Sequence, residues 1–284
     1  SLRSLTDVSA LTAKVAPLLA PAVEFFTVDI GSGIHIPLDG WMLRPKNFDP
    51  KKRYPVIVHV YGEPAGQTVT DRWGGGRMLF HRALAEAGYI VVSFDNHGTP
   101  APKGAAWRKK VYGSVGDLSS AEQAAAVRVL AEGRPYIDRD RVGIWGWSGG
   151  GSNTLNAMFR FPDVYHVGVS VAPVPDQTLY DTIYQERYMG LPGPNAAGYR
   201  LGSPIHFAQG LKGDLLLIHG SGDDNVHVQG TERLVNRLVE LGKAFDLMIY
   251  PNRTHAIAEG AGTTVHVYRK IAKYFLDHLP AGGR

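Results

Sequence analysis

The chain has 284 residues, 44% of them hydrophobic and 20% charged, which suits a globular unit with a substantial core and argues against disorder. Its formal charge of +4 comes from scattered basic residues, and the two dense clusters, "PKNFDPKKR" and "WRKK", read as solvated loops, so nucleic acid is not an expected partner. There is no cysteine, hence no disulfide frame and no thiolate nucleophile, and no uncharged apolar stretch nears the roughly 18 to 20 residues of a membrane span.

The chain starts on Ser1 rather than Met, and "SLRSLTDVSALTAK" lacks the apolar core of a signal peptide. The expectation is an excised or processed portion of a longer protein, with residues 1–23 a lead-in and 24–284 the folded unit. "EFFTVDIGSGIHIPLDGWMLRP" alternates in polarity and turns at Gly31 to Gly33, which predicts an antiparallel edge hairpin. "YPVIVHVYG", "YIVVSFDN", "RVGIWGWS", "HVGVSVAPV", "DLLLIHG" and "FDLMIYP" follow. They are rich in Val, Ile and Leu with little alternation, as parallel strands buried on both faces are.

Helical patterns fall between them. "RMLFHRALAEAG", "TERLVNRLVELGK" and "TTVHVYRKIAKYFLDHL" are three. "SSAEQAAAVRVLAEG" is a fourth, with Ser119 as N-cap, Glu122 completing a capping box, Ala124, Val127 and Ala131 on one face, and Gly133 as the stop. This alternation predicts an α/β fold whose mostly parallel sheet of about eight strands carries helices on both faces. Pro173 to Gly210, rich in aromatics, Pro and Gly, interrupts the alternation in the manner of a binding insertion. There is no internal repeat and no low-complexity tract.

Chemistry concentrates in "GIWGWSGGGS". Gly146-Trp147-Ser148-Gly149-Gly150 fits G-x-S-x-G between an apolar strand and a helical pattern from Ser152 to Phe161, the context of a nucleophile elbow. Such a turn strains the serine and crowds its neighbours, so positions two before and two after it tolerate little more than a hydrogen. It aims the Gly149 amide and the following helix N-terminus at developing negative charge. A phosphate loop would need G-x-x-x-x-G-K-[ST], and no Lys is present here.

A serine hydroxyl needs a base and an orienting acid, which in this fold follow in the order Ser, acid, His. "SGDDNVH" follows the strand "DLLLIHG", and "NRTHAIA" follows "DLMIYP", so Asp223 and His255 fall on loops at the carboxyl ends of the last two strands. His59 and His219 sit in or at the end of buried strands and read as core or supporting residues, while His227 reads as loop packing. No His pair brackets a Glu at metal-binding spacing, so neither metal nor cofactor is expected.

"GWSGGG", "LLLIHGSGDDNVHVQG", "VHVYGEPAGQ" and "VAPV" with "YDTIYQERYMGLP" resemble the catalytic domain of the prolyl oligopeptidase family of serine peptidases, in its dipeptidyl peptidase IV-like branch, from about Glu24 to the C-terminus. The resemblance implies an α/β-hydrolase fold and release of N-terminal dipeptides after Pro or Ala from a peptide substrate. It implies Ser148 as nucleophile, His255 as base, Asp223 as acid with Asp224 a structural loop carboxylate, and Tyr61 as oxyanion donor beside Gly149. Asn225 would hold a substrate carbonyl. Val174, Tyr180, Tyr184 and Val226 would line a proline slot.

Gly149 and Gln177 stand where that branch has a tyrosine and a tryptophan, two aromatic walls of the slot. A β-propeller whose paired glutamates bind the substrate's amino terminus precedes such domains, and residues 1–23 are too few to form one. A homodimer and a periplasmic or extracellular location are further implications. An esterase or acylaminoacyl peptidase on the same fold, and a non-catalytic assembly role, stay open as alternatives.

Overall fold

The computed structural model describes residues 6–31, 33 and 36–284. After helix α1 (Ser9–Leu19) come strands β1 (Glu24–Val28), β2 (Leu38–Leu43) and β3 (Tyr54–His59), helix α2 (Gly75–Glu86) and β4 (Ile90–Asp95). Helices α3 (Gly104–Lys109) and α4 (Asp117–Gly133) lead to β5 (Ile137–Trp147), α5 (Gly149–Arg160) and β6 (Val167–Val171). Then come α6 (Thr182–Met189), α7 (Ala196–Gly202), β7 (Asp214–Gly220), α8 (Val228–Glu240), β8 (Asp246–Tyr250) and α9 (Thr263–His278).

The strands form one eight-stranded sheet in the order β1-β2-β4-β3-β5-β6-β7-β8. β1 pairs antiparallel with β2 and β2 with β4; every other neighbour is parallel. The expected edge hairpin is therefore present. Its turn includes Ser32, which lies outside the described residues, while the flanking Gly31 and Gly33 take φ of 67° and 74°, a left-handed conformation that suits glycine.

The central strands are buried along their length because both faces are covered. In β4, Ile90, Val92 and Phe94 enter a core under α4, α5 and α8, whereas Val91 enters a second core under α2 and α9. β7 splits likewise, Leu215 and Leu217 against Leu216 and Ile218. Period-two alternation thus persists, but it sorts apolar residues between two cores rather than between core and water.

Two expectations are corrected. α4 begins at Asp117 behind Gly116, whose φ of 82° turns the chain, so Ser119 and Glu122 lie inside the helix and form no capping box. Glu122 instead meets His97 and Lys110. "WRKK" is not a solvated loop: it falls on α3 and the residue after it, with Trp107 fully buried and Lys110 paired to Glu122. The segment from Pro173 to Gly210 resolves into α6, α7 and 3-10 turns at Gln177–Leu179 and Pro204–Gly210. Asp181 and Asn195 cap the two helices, their side chains accepting from the Tyr184 and Gly198 amides. Among the described residues no helix is long and apolar enough to cross a membrane.

Candidate active site

The carboxyl ends of β3, β5, β6, β7 and β8 lie along one edge of the sheet, the edge where crevices of open α/β sheets form. Ser148 stands at the sharp turn from β5 into α5 with φ 60° and ψ −124°, a conformation that costs a non-glycine residue roughly 1–3 kcal/mol. The turn is held by the Ser148 amide donating to the Val171 carbonyl at 2.9 Å and the Ser152 amide donating to the Ser148 carbonyl at 3.0 Å. A Cβ on Gly146 would overlap the Gly150 carbonyl, and one on Gly150 would overlap the Val60 carbonyl. Backbone crowding explains both glycines. Gly149 differs, because a Cβ there would run into the side chain of Glu63.

Asp223, on the loop after β7, is buried, and its Oδ1 accepts from the amides of Asn225 (3.0 Å) and Val226 (2.8 Å). Its Oδ2 accepts from His255 Nδ1 at 2.7 Å, which leaves His255 Nε2 as the nitrogen free to meet a hydroxyl. His219, fully buried at the end of β7, lies 3.2 Å from the same Oδ2 through its Nε2, which also donates to the Val226 carbonyl at 2.8 Å. Its Nδ1 accepts from the Thr231 hydroxyl at 2.7 Å, so both ring nitrogens are engaged. Burial pushes the Asp223 carboxyl up, but hydrogen bonds from His219, His255 and the Val226 amide outweigh it and hold the group well below the usual carboxylate range. The His255 carbonyl accepts from Trp147 Nε1 at 2.8 Å, which ties the histidine loop to the residue before Ser148.

Ser148, His255, Tyr61, Trp147 and Asn225 line one cleft of ≈ 610 Å³. Tyr61 follows β3, and its carbonyl accepts from Asn153 Nδ2 at 2.8 Å; the same nitrogen reaches the Gly149 carbonyl at 3.1 Å. Burial raises the Tyr61 hydroxyl above the usual phenol range, so it stays protonated and can donate. With the Gly149 amide at the start of α5 it can supply two donors to a developing oxyanion.

Below Ser148 a second, ≈ 30 Å³ cavity is bordered by Val174, Gln177, Tyr180 and Tyr184, together with Glu63 and Gln185. Tyr180 donates from its hydroxyl to Asn225 at 2.9 Å and stacks edge-on against Tyr184. Val226 is buried in the acid loop, where its backbone serves Asp223 and His219. Asp224 is exposed, and His227 precedes α8 at the surface. Glu63 and Gln185 escape a reading by sequence. The only signal is an acid two residues past the expected oxyanion tyrosine, in "VYGEPAG". Among the described residues no group of three or more His, Cys, Asp or Glu could hold a metal ion.

Comparison with known proteins bears on family and fold. Residues 80–281 match the prolyl oligopeptidase family. The chain is 38% identical over 237 residues to dipeptidyl peptidase 8 of Mus musculus, covering 82% of this chain and 26% of that protein. It is 34% identical over 286 residues to a probable dipeptidyl-aminopeptidase B of Emericella nidulans, covering 98% of this chain and 30% of that one. The crystal structure of Porphyromonas gingivalis dipeptidyl peptidase 4 superposes with a TM-score of 0.88 at 37% identity over 98% of this chain and 38% of its own. The chain therefore spans between about a quarter and two fifths of the length of these relatives. Its eight-stranded, mostly parallel sheet is that of an α/β-hydrolase, and the chain belongs to the prolyl oligopeptidase family of serine hydrolases.

Proposed function

We propose that the chain hydrolyses peptide bonds by acyl transfer through Ser148, releasing dipeptides from free amino termini. The observation that carries this reading is a histidine locked onto a buried acid at 2.7 Å, beside an elbow serine in one cleft. Ser148 Oγ attacks the scissile carbonyl carbon while His255 Nε2 takes its proton. The tetrahedral oxyanion receives hydrogen bonds from the Tyr61 hydroxyl and the Gly149 amide. On collapse the C–N bond breaks, the imidazolium gives its proton to the leaving amine, and an acyl-enzyme remains. Water, deprotonated by His255, then attacks the acyl carbon, and the proton returns to Ser148 as the acid departs. Asp223 keeps Nδ1 protonated and stabilises the imidazolium throughout.

The relatives' names, all dipeptidyl peptidases or a dipeptidyl-aminopeptidase, support the dipeptide register. Gly149 and Gln177, in place of two aromatic walls, favour a second reading in which the acyl slot takes esters or blocked peptides. Turnover of Gly-Pro and Ala-Ala anilides, free and acetylated at the amine, beside a short-chain phenyl ester separates the two. The first reading expects a clear preference for the free amine and no activity in Ser148→Ala. Equal rates on free and blocked substrates, or hydrolysis of the ester alone, would overturn it.

A further inference from the structure

The cavity beside Ser148 carries the polar side chains Glu63, Gln177 and Gln185 among its walls, where the resemblance implies apolar ones. Glu63 is 3% exposed, and it takes the space that a side chain at position 149 would use. Its carboxylate accepts from the Tyr184 hydroxyl at 2.9 Å and, at long range, from Asn153 Nδ2 at 3.4 Å. Among the described residues no basic side chain is paired with it. Gln185 supplies an independent second acceptor. Its Nε2 donates to Gln177 Oε1, and Gln177 in turn donates to the Gly202 carbonyl at 3.3 Å, which leaves buried Gln185 Oε1 without a partner. Buried acceptors in native proteins are nearly always matched, and Gln185, which borders this cavity, carries one that no protein group meets.

Resting on the reading of Ser148 as nucleophile, we infer that this cavity selects a small acyl-side residue bearing a hydrogen-bond donor, serine or threonine, with Glu63 as the specificity-determining acceptor and Gln185 as its companion. A proline ring here would offer no donor to a carboxyl group and an amide oxygen that are already buried, whereas a donor-bearing side chain would, which disfavours apolar side chains. A hydroxyl supplies the missing donor. A lysine or arginine stem is too long for ≈ 30 Å³. Sites built to bond a substrate hydroxyl discriminate strongly against analogues that lack it, because the site's own polar groups are then left unpaired.

The selectivity should also titrate. Burial raises the Glu63 carboxyl to about 7, against the hydrogen bonds from Tyr184 and Asn153. The titratable groups facing it are the hydroxyls of Tyr61, Tyr180 and Tyr184, all raised by burial and protonated at neutral pH; α5 contributes only Asn153. Above about pH 7 the ionised carboxylate can only accept, so preference for a donor strengthens as pH rises. Taking the ratio of kcat/KM for two substrates cancels the titration of the shared triad.

The test uses Gly-Ser, Gly-Thr, Gly-Ala and Gly-Pro anilides, free and acetylated, from pH 6 to 9, with fluorophosphonate labelling of Ser148 as control. The expected Ser-to-Ala ratio is about tenfold or more at pH 8, as for a hydrogen bond to a charged group, and smaller at pH 6. Glu63→Gln should keep a preference that no longer changes with pH, and Glu63→Ala should bring the ratio near unity while raising the relative rate on Gly-Pro. A labelled enzyme that turns over the whole set alike, or whose ratio Glu63→Ala leaves unchanged, overturns the selectivity alone, whereas one that is labelled but turns over none of the set overturns the peptidase reading as well. Absence of both labelling and turnover overturns the functional reading and this inference with it.

Discussion

At the scale of single residues, the proposed chemistry depends on groups that the backbone aims before any substrate arrives. Tyr61 is the most exacting case, because its hydroxyl matters only while a negative charge exists on the carbonyl oxygen. Tyr61→Phe should therefore lower kcat by about 10²- to 10³-fold with little change in KM. Steady-state kinetics on one anilide checks this, and an unchanged kcat would remove the tyrosine from the oxyanion hole. Ser148, Asp223 and His255 could be picked out in the sequence because each follows an apolar strand and their order suits one fold. Glu63 could not, since nothing along the chain says that residues 63 and 149 compete for one volume. His219 was legible only as a buried strand-end residue. Its contact with Asp223 depends on how the acid loop folds back over β7.

At the scale of elements, α4 shows how a local signature can be right about a helix and wrong about its end. The periodicity of Ala124, Val127 and Ala131 places these three residues in the core, as expected. The apparent capping box is absent because α4 starts earlier, at Asp117, and both its residues are engaged in tertiary contacts. Ser119 donates to Asn153 Oδ1, and Asn153 holds the carbonyls of Tyr61 and Gly149, so this serine supports the site from one helix away. Glu122 accepts from the His97 amide at 2.9 Å, meets its Nδ1 at 2.9 Å, and accepts from Lys110 at 2.9 Å. Burial pushes its carboxyl up, yet these partners hold it below the usual range. Glu122→Ala should thus cost about 3–5 kcal/mol, as loss of one partner of a buried ionic cluster does. A capping residue would cost only about 1 kcal/mol. Denaturant unfolding separates the two, and a loss near the smaller figure would return Glu122 to a local role. Helices α6 and α7 were harder to read because each is eight residues or fewer, too short for periodicity to show.

At the scale of the whole molecule, one sheet divides two cores and its carboxyl edge gathers every proposed site residue. Arg141 ties the far end together: it pairs with Asp138 at 2.6 Å and donates to the carbonyls of Arg53, Pro280 and Gly282, joining β5 to the C-terminal residues. Nearly all of this architecture was legible, since strands buried on both faces announce themselves as unbroken apolar runs. The polar groups around the cavity beside Ser148 were not, because they come from the loop after β3, from α5 and from α6. A buried acid without a basic partner also leaves a mark on global stability. The Glu63 carboxyl rises from an ordinary value of 4.5 to about 7, so the folded state binds its proton more tightly than the unfolded chain. Its stabilising contribution is fully present below about pH 4.5 and is lost as pH rises through 7, on the order of 3 kcal/mol in all. Glu63→Gln should therefore gain stability relative to the parent between pH 5 and pH 9. A pH-independent difference in unfolding free energy would show that the carboxyl is not raised. The most direct test of the central claim is the site and rate of fluorophosphonate labelling, mapped by peptide mass spectrometry in the parent, Ser148→Ala and His255→Ala chains. The account predicts a single adduct on Ser148, none in Ser148→Ala, and strongly slowed labelling in His255→Ala. An adduct elsewhere, or labelling indifferent to His255, would contradict it.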